Sequence, residues 1–145
     1  MNLSKTFHLL LLVAASGISG TLSAATLTIT VGNIDTDVGN MNFAVYDNKK
    51  DWLGDGVVQK RSLVVSEQLV DGVITTRFEL EPGDYAVSVH HDDNDNGKMD
   101  TNFIGIPKEP TGLSNGAVPK FGPPKYKDAV FSLTDDLEIS IELLD

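Results

Sequence analysis

Seven short segments of alternating apolar and polar residues predict an all-β fold. The expected form is an antiparallel seven-stranded β-sandwich, immunoglobulin-like or transthyretin-like, with one long ordered loop. Turn-forming clusters separate the segments. Helical periodicity is scarce, and the strand-helix-strand rhythm of a parallel sheet is missing from the sequence.

The elements follow in order. Residues 1–25 read as an export signal: Lys5 gives a positive start, Leu9 to Ala15 an apolar run, and Ser23-Ala24-Ala25 small residues for a signal peptidase. The run is too short, and too rich in Gly and Ser, to span about 30 Å of hydrocarbon, so a transmembrane anchor is not expected. Cleavage near Ala25 would leave a single domain over residues 26–145, placed in a periplasm or secreted. Thr26 to Val31 alternates strictly, with Leu27, Ile29 and Val31 on one face, and Met41 to Tyr46 alternates again. Asp47 is placed to cap a short helical turn through Trp52, ended by Gly54. Arg61 to Glu67 and Val73 to Leu80 read as strands, and Asp71-Gly72 between them is a hairpin signal. Asp84 to His91 is the next strand. Pro82-Gly83 turns into it, and Tyr85 is placed to bury its ring and bond its hydroxyl back to the corner. Ala129 to Leu133 and Leu137 to Leu143 close the chain.

Composition limits the function. The chain of 145 residues has 41% hydrophobic and 22% charged residues, the range of one globular domain. Its net charge of -10 argues against nucleic acid or anionic membrane as main partners and favours cations. With no cysteine, disulfides, thiol catalysis, Cys-ligated zinc and lipoprotein acylation are excluded.

Residues 92–128 lack a clear strand or helix, yet carry Phe103, Ile104, Ile106, Leu113, Phe121 and Tyr126. Loops longer than about 12–15 residues are uncommon in compact domains. The apolar residues are expected to anchor this one to the sandwich. It opens Asp92-Asp93-Asn94-Asp95-Asn96-Gly97-Lys98-Met99-Asp100, with oxygen side chains at places one, three, five and nine and glycine at place six. That is the start of a calcium loop. Short acid and amide side chains on alternate residues can converge on one ion, and Gly97 allows the bend. Lys98 would offer its backbone carbonyl, and Met99 would point inward. Place twelve is Phe103 where a helix-loop-helix site has glutamate, so a missing carboxylate must come from elsewhere, with Glu109 as candidate. The expected metal set is Asp92, Asn94, Asn96, Lys98, Asp100 and Glu109, holding Ca²⁺. A metal-free Asx-rich turn is the competing reading. Asp93 and Asp95 fall between ligand places as solvated charges. His91 shares a face with Tyr85, Val87 and Val89, so it should point inward and brace the loop. His90 faces the other way.

The segments His91-Asp92-x-Asn94-x-Asn96-Gly97-Lys98-Met99-Asp100-Thr101-Asn102-Phe103, Gly105-Ile106-Pro107-Lys108-Glu109, Gly112-Leu113-Ser114-Asn115 and Phe121-Gly122-Pro123-Pro124 follow in this order. Together they resemble a bacterial secreted family, domain of unknown function 2141. The chain departs from that family's usual Tyr-Gly-Phe-Ser-Asn at Thr111 to Asn115. The resemblance implies a small exported β-domain and brings no activity with it. Asn102, Ser114 and Asn115 are expected to bond loop backbone or reach the ion. The leading function is a non-catalytic binding or adhesion-type envelope module with an unidentified partner. Its alternatives are a carrier of a small apolar ligand under the long loop, or a metal-dependent hydrolase using Asp92, Asp100 or Glu109 with His91. H-E-x-x-H does not occur in the sequence; Gly112-Leu113-Ser114-Asn115-Gly116 has the G-x-S-x-G spacing, but Ser114 has no base partner evident in the sequence.

Overall fold

The strict alternation of Thr26 to Val31 forms β1 (Ala25–Gly32), whose Leu27, Ile29 and Val31 are fully buried. The computed structural model describes residues 23–145. Most of the expected export signal therefore lies outside the described residues. Seven further strands follow: β2 (Asn40–Tyr46), β3 (Gln59–Val64), β4 (Ile74–Leu80), β5 (Gly83–Asp92), β6 (Thr111–Leu113), β7 (Phe131–Leu133) and β8 (Leu137–Glu142). The short helices are α1 (Val65–Gln68) and α2 (Tyr126–Ala129). Among the described residues no helix is long and apolar enough to cross a membrane.

The strands form two sheets. One runs β4-β1-β8, the other β3-β2-β5-β6, with β7 paired to the start of β5. Their inner faces share one apolar core: Leu27, Ile29, Phe78 and Ile141 from the first meet Met41, Phe43, Val45, Val87 and Val89 from the second. Phe43 and Phe78 touch across it with ring centroids 6.5 Å apart. Aromatic pairs of this kind add about 0.5–1.5 kcal/mol beyond area burial.

Several expectations are corrected. Among the described residues there are eight strands rather than seven, because Thr111–Leu113 pairs with Ser88 to His90 inside the segment read as unstructured. The pairing is mostly antiparallel, but β1 and β8 run parallel. These are the outermost strands in sequence, so no short hairpin forces them antiparallel. The strand read over Arg61 to Glu67 ends at Val64, where one helical turn buries Val65. No helix forms after Asp47. Asn48 closes a bend instead, its Oδ1 accepting the Asp51 N–H at 3.0 Å.

The turn chemistry holds at two corners. Asp71 and Gly72 both adopt positive φ, 52° and 81°, between the bridged residues Val70 and Val73. That is the tight turn which Asp-Gly favours, but β3 and β4 lie in different sheets, so it joins no hairpin of paired strands. At the Pro82-Gly83 corner Tyr85 is buried, and its hydroxyl donates to the Glu81 carbonyl at 2.8 Å.

Candidate functional site

β2 and β5 set the site by their register. Asn40 lies opposite Asp92 and Met41 opposite His91, so the end of β5 meets the entry to β2. Between them sits Gly39 at φ 75°, where an added Cβ would lie 2.0 Å from the Asp92 carbonyl oxygen. Only glycine permits this approach. His91 is buried, and its Nε2 is 2.8 Å from the Val38 carbonyl. It therefore points inward as expected, but braces the β1–β2 connection rather than the acidic loop itself.

The acidic loop closes on its own side chains. Asp92 accepts the Asn96 N–H at 3.1 Å on one carboxylate oxygen and the Gly97 N–H at 2.8 Å on the other. Gly97 has φ 74°, and the space beside it is open. Asn94 Oδ1 accepts the Asn96 N–H at 3.1 Å, and Asn96 Oδ1 accepts the Lys98 N–H at 2.8 Å. These bonds curl the backbone, and the Asn94 and Asn96 amides meet at the Asp100 carboxylate as a local centre.

Glu109 returns to that centre from the far side of the loop. The backbone N–H of Asp100 donates to its Oε2 at 2.9 Å, and the amide of Asn94 donates to its Oε1 at 3.1 Å. His90 Nε2 lies 2.7 Å from the same Oε2. Asp100 Oδ2 accepts from the side-chain amides of Asn94 at 2.8 Å and Asn96 at 2.9 Å. Asp92, Asn94, Asn96, Asp100 and Glu109 thus form one connected cluster. Asp92 is 1% exposed and Glu109 4%. Among the described residues, His90 is the one cationic-capable partner of these carboxylates within ion-pair distance; no lysine or arginine pairs with them.

Two positive amide ends, on Asn94 and Asn96, stand between the carboxylates. Among the described residues no group of three or more His, Cys, Asp or Glu side chains is arranged to hold a metal ion. The donors are interleaved acids and amides rather than a bare acid cluster. Asp92 accepts one bond at each oxygen, about half of a carboxylate's acceptor capacity. Amide nitrogen and oxygen are related by a half-turn of the side chain. An all-oxygen set would need both amides to turn and give up the Asn96 and Lys98 N–H bonds their oxygens accept, and hard oxygens are the chemistry calcium takes.

Other expected site residues lie elsewhere. Asn102 Oδ1 accepts the N–H groups of Ile104 at 3.1 Å and Ile106 at 3.0 Å, shaping the tip that follows. Ser114 is buried; its hydroxyl accepts the Val87 N–H at 2.9 Å and donates to the Ala129 carbonyl at 2.6 Å. Asn115, at φ 57°, donates to the Val130 carbonyl at 2.7 Å. Ser114 and Asn115 thus pin the long segment to β5 and to the end of α2. Met99 is 42% exposed and does not point inward. Phe103, Ile104, Ile106 and Phe121 are exposed too, so four of the six expected apolar anchors do not hold the segment, whereas Leu113 and Tyr126 are half-buried and Tyr126 packs on Trp52. Polar contacts and Gly112 add to this hold. A Cβ on Gly112 would lie 2.5 Å from Ile141 Cγ2, so β6 packs tightly on β8.

Sequence reasoning missed His90, Asn40 and Gly39. His90 was legible only as an outward residue of β5; its use depends on where Glu109 returns. Asn40 donates through its amide to Asp95, which is therefore not simply solvated. That contact follows from strand register, which the sequence does not carry.

At the opposite end of the sheet Trp52 packs edge-on to Tyr46 and Tyr126, and its indole N–H donates to the Pro124 carbonyl at 2.8 Å. Burial raises the pKa of Tyr46, a Ser88 hydrogen bond opposes this, and Asp55 adds to it. Beside this cluster is a cavity of about 210 Å³ lined by Val118, Phe121, Pro123 and the lysines 120, 125 and 127. Small-molecule pockets usually measure about 300–1,000 Å³ and are mostly apolar, so this space does not favour an apolar cargo.

No curated protein matches the chain, and no solved structure does. The family described as "Uncharacterized protein conserved in bacteria (DUF2141)" matches residues 29–141, nearly all of the two-sheet domain, and the chain belongs to that family.

Proposed function

We propose that the chain is an exported, non-catalytic binding or adhesion-type module whose acidic loop is ordered by calcium. The scaffold is read as a sandwich of immunoglobulin-like or transthyretin-like kind, placed in the periplasm or secreted. Export rests on the pattern of residues 1–25. Calcium rests on one observation above all: among the described residues, buried Asp92 and Glu109 gather with Asp100 with no lysine or arginine and with His90, on Glu109, as the one cation-capable side chain within ion-pair distance. Buried carboxylates need compensation by charge, hydrogen bonds or metal. The side chains of Asp92, Asn94, Asn96, Asp100 and Glu109, with the Lys98 carbonyl, would hold the ion. Bound calcium would add positive charge to that now offered by two amide ends, His90 and the backbone N–H groups on these carboxylates.

Hydrolysis has less support. His91 is bonded to Val38, and the Ser114 hydroxyl is engaged by backbone groups. The expected role is recognition, with calcium setting the loop's shape. Thermal unfolding in chelator and in calcium tests this. At a hundred times Kd, calcium should stabilise the protein by about 2.7 kcal/mol. Coincident unfolding curves would refute it.

A further inference from the structure

Beyond the acidic loop the chain makes a sharp tip. Thr101 and Pro107 form a β-bridge, and between them lie Asn102-Phe103-Ile104-Gly105-Ile106. Phe103 is 99% exposed, Ile104 64% and Ile106 53%. The tip is nevertheless well braced. The Asn102 N–H donates to the Ile106 carbonyl at 2.8 Å, and the Gly105 N–H to the Asn102 carbonyl at 3.0 Å. The Ile104 and Ile106 N–H groups are both taken by Asn102 Oδ1. Four backbone donors are therefore satisfied inside the tip.

That combination fits a particular medium. In hydrocarbon, unsatisfied backbone groups cost several kcal/mol, so an inserting segment must bond its own donors. This tip bonds four of its six backbone N–H groups, all but those of Thr101 and Phe103, while presenting three large apolar side chains. Residues 101–107 carry no charge, and Lys98 and Lys108, both exposed, flank them in an otherwise acidic protein. A convex apolar point with basic shoulders suits the phosphate and acyl region of a bilayer. Asp93, Asp95 and Asp100 stand just before it, and their charge opposes approach to lipid phosphates until a cation offsets it.

We infer that the 101–107 tip is a calcium-dependent membrane-insertion element, placing Phe103, Ile104 and Ile106 at the acyl boundary of a lipid bilayer. This rests on the calcium reading of the preceding loop and names the surface that the loop serves. The test is cosedimentation of the full exported protein with vesicles, in millimolar calcium and in chelator. One set is phosphatidylcholine and the other contains phosphatidylglycerol. Binding in calcium, with at least about a tenfold drop in the Phe103→Ser/Ile104→Ser double variant, supports the inference. Both residues are exposed, so the variant should keep the wild-type unfolding curve and its calcium shift. No sedimentation with either vesicle, while calcium still shifts unfolding, overturns the membrane role alone and leaves the tip to a protein partner. Equal sedimentation in chelator overturns the calcium coupling. Loss of the unfolding shift overturns the calcium reading itself.

Discussion

Replacing Gly39 by alanine should destabilise the domain by about 2–5 kcal/mol. Two effects add. The residue sits at φ 75°, where a Cβ is disfavoured, and that Cβ would fall 2.0 Å from a backbone oxygen of Asp92. Backbone cannot swing aside as a side chain can. The Gly39 carbonyl also accepts the Val65 N–H at 3.0 Å, so a shift there disturbs the turn after β3. Gly97→Ala is the natural control. Its φ is 74°, but nothing lies within 4 Å of the added Cβ, so the cost should be about 1–2 kcal/mol. Urea unfolding of the two variants separates the clash from the backbone preference. Equal losses would mean that Gly39 and Asp92 do not approach as described.

Asp92→Ala should cost about 1–3 kcal/mol in chelator and remove calcium stabilisation altogether. The buried carboxylate holds the N–H groups of Asn96 and Gly97, and without it the loop loses its first fold. Asp93→Ala, at an exposed neighbouring position, should change stability by no more than about 0.5 kcal/mol and keep the calcium response. The pair makes charge alone an inadequate explanation, because each variant removes one acid. If Asp93→Ala abolished the response as fully as Asp92→Ala, diffuse attraction by an acidic surface would explain it better than a site.

Much of the scaffold was legible because alternation is local. Leu27, Ile29 and Val31 announce an inward face, and Asp71-Gly72 announces a turn, from a few adjacent residues. The Tyr85 hydroxyl contact follows from a corner four residues long. The parallel β1–β8 pair was not legible, since no local pattern says which distant strand lies alongside. Strand β6 is three residues of Thr-Gly-Leu, too short to show a period. Oxygen spacing marked the acidic loop, and the lack of a carboxylate at Phe103 made Glu109 a candidate only; its bonds to Asn94 and the Asp100 N–H are visible in the fold alone. The role of His90 depended on that return and stayed hidden. Phe103 and Ile104 misled for a simple reason: apolar residues are usually buried, and composition cannot mark those the backbone holds in water.

Whether calcium enters the Asp92–Glu109 cluster is read residue by residue by backbone NMR during a calcium titration. Saturable shifts should appear at Asp92, Asn94, Asn96, Asp100 and Glu109, with an apparent Kd of about 10⁻⁴–10⁻³ M and a weaker response to magnesium. Unmoved signals at these five positions in millimolar calcium, or small unsaturating drifts spread over every surface acid, would contradict it.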